Sequence, residues 1–143
     1  MKKPREQDTV HAILKFLALH HIPAWHMRTG ATKIGGRFIR FGAVGMSDII
    51  GVLPRHSMLR FRPLPVRQIE EGLFLAIEVK SAKGSVTLEQ KAFLQLVIGA
   101  GGKAFVARTV NDVARELGFP PSPTFGGQPI SWATQRRISK DGP

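Results

Sequence analysis

The stretch Leu73–Lys80, LFLAIEVK, restricts the fold of this chain more than any other. A run this dense in leucine, isoleucine and valine reads as a strand bound for the core, and side chains alternate along a strand. Leu75, Ile77 and Val79 therefore point to one face, and Ala76, Glu78 and Lys80 to the other. If the strand is central, Glu78 and Lys80 project together at its C-terminal end, where a packed core gives way to a cleft. Taken alone, a Glu-x-Lys pair is what a solvated sheet edge carries, worth less than about 1 kcal/mol.

The flanking sequence supplies partners for that strand. Residues 4–21 carry Val10, Ile13, Leu14 and Leu17 at helical spacing, with Pro4 suited to a first turn and acidic residues near the start. IPAWHMR and GRFIRFG are short β-like runs separated by the turn-rich TGATKIGG, which predicts a hairpin carrying Arg28, Lys33, Arg37 and Arg40. Asp48 follows the spaced glycines Gly42 and Gly45 and opens the apolar run Ile49–Leu53. A long loop from Arg55 to Gly72, rich in arginine and proline, precedes the central strand; its length and charge suggest that it lies against a partner. After the strand, TLEQKAFLQLVIGAGG predicts a helix ended by Gly101 and Gly102, KAFVAR a strand, and TVNDVARELG a helix capped by Thr109 and stopped by Gly118. The expected order is α, β, β, β, α, β, α. Residues 119–143 are rich in proline, glycine and serine, with basic Arg136, Arg137 and Lys140, and read as a tail whose Ile130 and Trp132 could dock on the domain or on a second subunit.

Length and charge narrow what such a fold is for. At 143 residues the chain supports one core and one site. It has no cysteine, so disulfides, thiolate zinc sites and thiol nucleophiles are excluded together. No stretch reaches the roughly 18 apolar residues a membrane span needs, and the N-terminus turns polar where a signal peptide would turn apolar, so a cytoplasmic location is expected. Lysine and arginine number 21 against 10 aspartate and glutamate, a formal net charge of +11. That field attracts polyanions, nucleic acid foremost, although a basic surface serves solubility or an anionic membrane as well.

Within a basic protein, a set of carboxylates near one cleft calls for explanation. Asp48 by itself suits a turn or a cap. Beside Glu78 in a partly dry cleft, the two carboxylates repel unless a cation lies between them. Mg²⁺ suits that place: it takes oxygen ligands, keeps waters and shifts one toward hydroxide. Lys80 could then orient or help deprotonate the water, or stabilise charge on a phosphate. Glu6 could add a ligand if the first helix packs beside Asp48, or it could simply answer the helix dipole. Gln90 closes the capping-box pattern TLEQ with Thr87, a role compatible with supporting the site.

Glu6, then GMSD with Asp48, EVK with Glu78 and Lys80, TLEQ with Gln90 and the strand GGKAFVAR with Val106 and Arg108 together resemble the VRR-NUC nucleases, of the standalone type found in phage and bacteria. These are part of the restriction-endonuclease-like PD-(D/E)XK superfamily. The resemblance implies an α/β fold with a mixed sheet flanked by helices and an αβββαβ core. It places the nuclease domain at residues 1–118 and leaves 119–143 as a Pro/Gly-rich basic tail. It implies that Asp48, Glu78 and the Val79 carbonyl bind Mg²⁺ or Mn²⁺, with Glu6 a further candidate ligand, that Lys80 is catalytic and that Gln90 supports the site. Standalone members are similar to Holliday-junction resolvases, which act as homodimers, so DNA, branched, is the expected substrate, with Arg28, Lys33, Arg37 and Arg40 as candidate DNA contacts. The 55–72 segment and the tail depart from the minimal pattern and bear on substrate choice. A flap or repair nuclease and a non-catalytic basic nucleic-acid-binding module on the same fold are the alternatives. The five histidines show no metal-ligand spacing.

Overall fold

The structure is a computed structural model that describes residues 5–54, 72–120, 124–125 and 128–129. The loop expected at 55–72 falls outside them except for Gly72, as do Pro4, His56, Ile130, Trp132 and the basic residues of the tail.

The first helix, α1 (Glu6–Leu19), starts where Asp8 reaches back to accept the Arg5 backbone N–H at 3.0 Å. It buries Val10, Ile13, Phe16 and Leu17. Phe16 fills a core position, while Leu14 is only half-buried at its edge. Among the described residues eight strands follow in three sheets: β1 (Ala24–His26), β2 (Gly30–Ile34), β3 (Arg37–Phe41), β4 (Ile49–Leu53), β5 (Leu73–Val79), β6 (Lys103–Ala107), β7 (Thr124–Phe125) and β8 (Gln128–Pro129). Among the described residues two further helices, α2 (Leu88–Gly99) and α3 (Val110–Glu116), lie on either side of β6 in sequence. Thr87 caps α2 and Thr109 caps α3, each accepting the N3 backbone N–H at 3.2 Å.

The main sheet has the order β1-β4-β5-β6. β1 and β4 are antiparallel, β4 and β5 antiparallel, and β5 and β6 parallel, so β5 is a central strand with neighbours of both senses. Its odd-numbered residues Leu75, Ile77 and Val79 join Ile49, Leu53, Phe105 and Ala107 in one core, closed by α1 and by Val113, Ala114 and Leu117 of the α3 region. Phe119, the first residue of the segment expected as a tail, is buried in the same core, its ring edge-on to Phe16 at 5.3 Å. Ala76 and Glu78 are buried on the opposite face, the side on which α2 contributes Leu94 and Val97 and closes on Gly102, where a Cβ would meet Val97 Cγ1 at 2.6 Å. The result is a mixed sheet between helical layers, as a restriction-endonuclease-like fold requires. Counting only main-sheet strands, the order is α1, β1, β4, β5, α2, β6, the expected αβββαβ.

One pairing differs from the sequence reading. AWH does not form a hairpin with GRFIRFG; it pairs with β4, Ala24 opposite Gly51 and His26 opposite Ile49. The segment taken as a turn is itself strand β2, and only Gly35 and Gly36 turn, both at positive φ (55° and 80°). The β2–β3 ribbon is thus an insertion between the first two strands of the main sheet, with residues 30–40 exposed throughout. Among the described residues no helix is long and apolar enough to cross a membrane.

Candidate active site

Strand register brings the two carboxylates together. In the β4–β5 ladder Ile49 stands opposite Ile77, so one step further Asp48 stands opposite Glu78, on the same face. Asp48 Oδ2 accepts the Val79 backbone N–H at 2.8 Å, continuing the ladder through a side chain. Its own carbonyl accepts the Met27 N–H at 2.7 Å, which fixes the end of β1 beside it. The turn leading in needs glycine at position 45: φ is +82° and a Cβ there would lie 2.6 Å from the Glu89 carbonyl oxygen on α2.

Glu78 is 1% exposed. Its Oε1 lies 3.0 Å from Lys80 Nζ and accepts from Gln90 Nε2 at 2.5 Å. Its Oε2 is buried with no hydrogen-bond partner among the described residues. Burial pushes the carboxyl pKa up to about 6, reinforced by the negative charge of Asp48 and opposed by Lys80. Gln90 performs both tasks open to it: Oε1 accepts the Thr87 N–H at 2.9 Å in the capping box, while Nε2 holds Glu78. The Lys80 side chain is 13% exposed, and its backbone N–H donates to the Ala107 carbonyl at 3.0 Å.

Glu6 stands apart from that pair. Its Oε2 accepts the Ser81 N–H at 3.1 Å, tying the first turn of α1 to the segment after Lys80. Glu6 and Asp48 both line an open cleft of about 370 Å³, together with His26, Arg28 and Thr29. Among the described residues no three carboxylate or imidazole side chains converge as a metal-binding group. The structure therefore brings Asp48 and Glu78 together, and Glu6 lines the cleft that Asp48 reaches.

Arg108 was legible only as part of the AFVAR motif, yet its guanidinium bridges the carbonyls of Ser81 and of Gly84, the latter at 2.9 Å. Parallel pairing of Val79 with Ala107 puts Arg108 level with Lys80, a neighbourhood that appears only once β5 and β6 are aligned. Of the candidate DNA contacts, Arg28 lines the cleft and Lys33, Arg37 and Arg40 lie on the ribbon. The imidazoles of His11 and His26 meet edge-on at 6.5 Å.

The donor set suits a hard divalent cation: the groups are all oxygen, and a buried carboxylate oxygen, Glu78 Oε2, has no hydrogen-bond partner among the described residues while a second carboxylate lies beside it. Asp48, Glu78 and the neighbouring backbone are the groups that would hold it. The sequence matches the VRR-NUC domain over residues 4–111, about three quarters of the chain. No curated protein and no solved structure matches it.

Proposed function

The chain belongs to the VRR-NUC family and is therefore a nuclease with DNA as its substrate, and from that premise we propose that it is a metal-dependent endonuclease that hydrolyses phosphodiester bonds in branched DNA as a Holliday-junction resolvase. The observation that carries the catalytic part is the Glu78 carboxylate, buried opposite Asp48 with one oxygen held by Lys80 and Gln90 and the other without a hydrogen-bond partner among the described residues.

A bound Mg²⁺ or Mn²⁺ supplies a Lewis acid for the phosphate and a more acidic water. The protein supplies the rest. Asp48, Glu78 and the Val79 carbonyl would hold the cation, and Glu6, which lines the cleft with Asp48, would be a further ligand. The Val79 N–H fixes the Asp48 rotamer, and Gln90 fixes that of Glu78 from a capped helix terminus. Lys80, on the rigid end of β5, orients the attacking water or stabilises charge developing on the phosphate. Its ammonium stays near the site in the absence of substrate because Glu78 holds it.

Resolution of a four-way junction needs two matched cuts, and one such site makes one, so a homodimer with a two-fold axis is the active form. The net charge of +11 per chain makes binding steeply salt-dependent, with a slope of about −0.9 per phosphate neutralised on duplex DNA. The test is incubation with labelled four-way junctions, flaps and linear duplex, in Mg²⁺, Mn²⁺ or EDTA, alongside Asp48→Asn. Paired cuts confined to junctions, dependent on metal and lost in the variant, support the proposal. Cleavage of flaps alone moves the substrate; binding of every DNA with no cleavage in either metal removes catalysis and leaves a binding module.

A further inference from the structure

The β2–β3 ribbon is two-faced, and one of its faces is chemically unusual. Cross-strand partners share a face, so the pairs Lys33 with Phe38 and Ala31 with Arg40 put Lys33, Phe38 and Arg40 together on one side. Thr32, Ile34, Arg37 and Ile39 lie on the other. Phe38 is 77% exposed, and the Lys33 ammonium lies 5.8 Å from its ring centroid. From Arg28 to Gly42 the sequence holds four basic residues and not one acidic residue. A bare aromatic ring that shares its face with two cations, on a ribbon whose residues 30–40 are all exposed, adds nothing to the core and marks an interaction surface.

The ribbon is also fastened to the cleft. Arg28 and Thr29, at the foot of its first strand, line the cleft with Asp48. The foot of its second strand closes against them: a Cβ on Gly42 would lie 2.7 Å from Thr29 Cγ2 and 3.0 Å from the Arg28 carbonyl. From Gly42 the chain runs directly into the turn that delivers Asp48. Because Arg28 and Thr29 share the cleft with Asp48, a nucleic acid with a phosphate at Asp48 would pass the foot of this ribbon, which extends about 16 Å at 3.3 Å per residue.

We infer that the Lys33–Phe38–Arg40 face binds unpaired nucleotides of the substrate, Phe38 stacking on an exposed base while Lys33 and Arg40 hold the adjacent phosphates. Phenylalanine has no hydrogen-bonding group with which to read a base edge, and a base within an intact duplex keeps both faces covered by its neighbours. Only an unstacked base, at a branch or flap, lets the ring lie between it and its neighbour. The ribbon thereby prefers distorted over continuous DNA without any sequence preference. This assignment rests on the nuclease reading for its substrate class.

Its test is binding in EDTA, which does not depend on cleavage. The probes are a fluorescein-labelled linear duplex and the same duplex carrying a short unpaired stretch. Phe38→Ala weakens binding to the probe with unpaired bases on the order of 10-fold, the loss of one stacking contact, and changes linear-duplex binding less than about 2-fold. Phe38→Trp keeps the preference. Lys33→Gln with Arg40→Gln weakens both probes and lowers the magnitude of the salt slope by about 2. Since residues 30–40 lie outside the core, each variant should melt with the wild type, which thermal unfolding checks. Equal losses on both probes with Phe38→Ala, no loss on either, or a change in oligomeric state without a change in discrimination would each overturn the assignment, the last by making the ribbon a subunit contact. Absence of cleavage by the wild type in Mg²⁺ and Mn²⁺, with the binding preference intact, would instead sink the catalytic proposal and leave the ribbon's role standing.

Discussion

Glu78 should make the metal-free protein less stable as pH rises. Its folded-state pKa is about 6 against an ordinary 4.5, so the folded protein binds that proton more tightly than the unfolded chain does. The stabilisation is complete below about 4.5 and is lost as pH rises through 6. The difference between an ordinary 4.5 and about 6 amounts to about 2 kcal/mol. For a chain of this size that corresponds to roughly 5–8 °C in melting temperature. Glu78→Gln, close in shape and always neutral, should abolish this part of the pH profile and leave the variant about 2 kcal/mol more stable than wild type at pH 8 in EDTA, although catalytically inactive. Urea melts of both proteins between pH 4.5 and 8 measure the difference, and subtracting the two profiles removes contributions from other groups. Asp112 is the main one: burial raises its pKa, but hydrogen bonds from Arg108, Arg115 and Thr109 outweigh that and hold it below its usual 3.8, so its stabilisation disappears only under stronger acid. A wild type that gains stability relative to Glu78→Gln between pH 4.5 and 6 would show that Lys80 outweighs burial, and the reasoning would fail.

Two further changes probe how the site is held. Arg108→Ala frees the Ser81–Gly84 turn and should lower kcat about 10-fold with KM for DNA unchanged; Arg108→Lys, which cannot span both carbonyls, should not restore it, and steady-state kinetics on the cleaved substrate separate the two constants. Gly45→Ala forces a side chain into φ +82° and against the Glu89 carbonyl, which should cost on the order of 1–3 kcal/mol and weaken stabilisation by Mg²⁺, read from thermal melts with and without the cation.

The parts of this fold legible in the sequence are those whose signal is local. LFLAIEVK shows its two faces by alternation, and the capping box of TLEQ lies within four residues. The β2 strand could not be seen that way, because GATKI buries neither face and so has no alternation to show. Its Gly35–Gly36 pair was the available signal, a two-residue hairpin turn hidden within a segment whose composition suggested turn throughout. β1 was misassigned for the complementary reason. Three residues are too few to choose a partner, and β4, which does pair with it, lies more than twenty positions away. In the site, Glu78 and Lys80 could be nominated from strand alternation, Asp48 from its place at the start of an apolar run and Gln90 from its capping box. The part played by Arg108 depends on the parallel β5–β6 register, which no local pattern encodes.

The arrangement around Glu78 also explains a feature that stability alone would remove. A buried carboxylate is tolerated when its oxygens are compensated. Here both compensating groups, Lys80 and Gln90, converge on Oε1, and Oε2 has no hydrogen-bond partner among the described residues. A structural salt bridge would divide its donors between the two oxygens, and an apolar residue would fill the position at lower cost. The asymmetry is instead what a carboxylate needs in order to receive a second positive charge: one oxygen is held so that the rotamer cannot drift, and the other stays available. Asp48 is arranged alike, with Oδ2 fixed by the Val79 N–H. Two acids, each anchored through one oxygen on adjacent strands, form a pair whose mutual repulsion a divalent cation relieves. The stability lost in the metal-free protein should therefore be recovered on metal binding, and recovered most fully above pH 6, where no proton competes for Glu78.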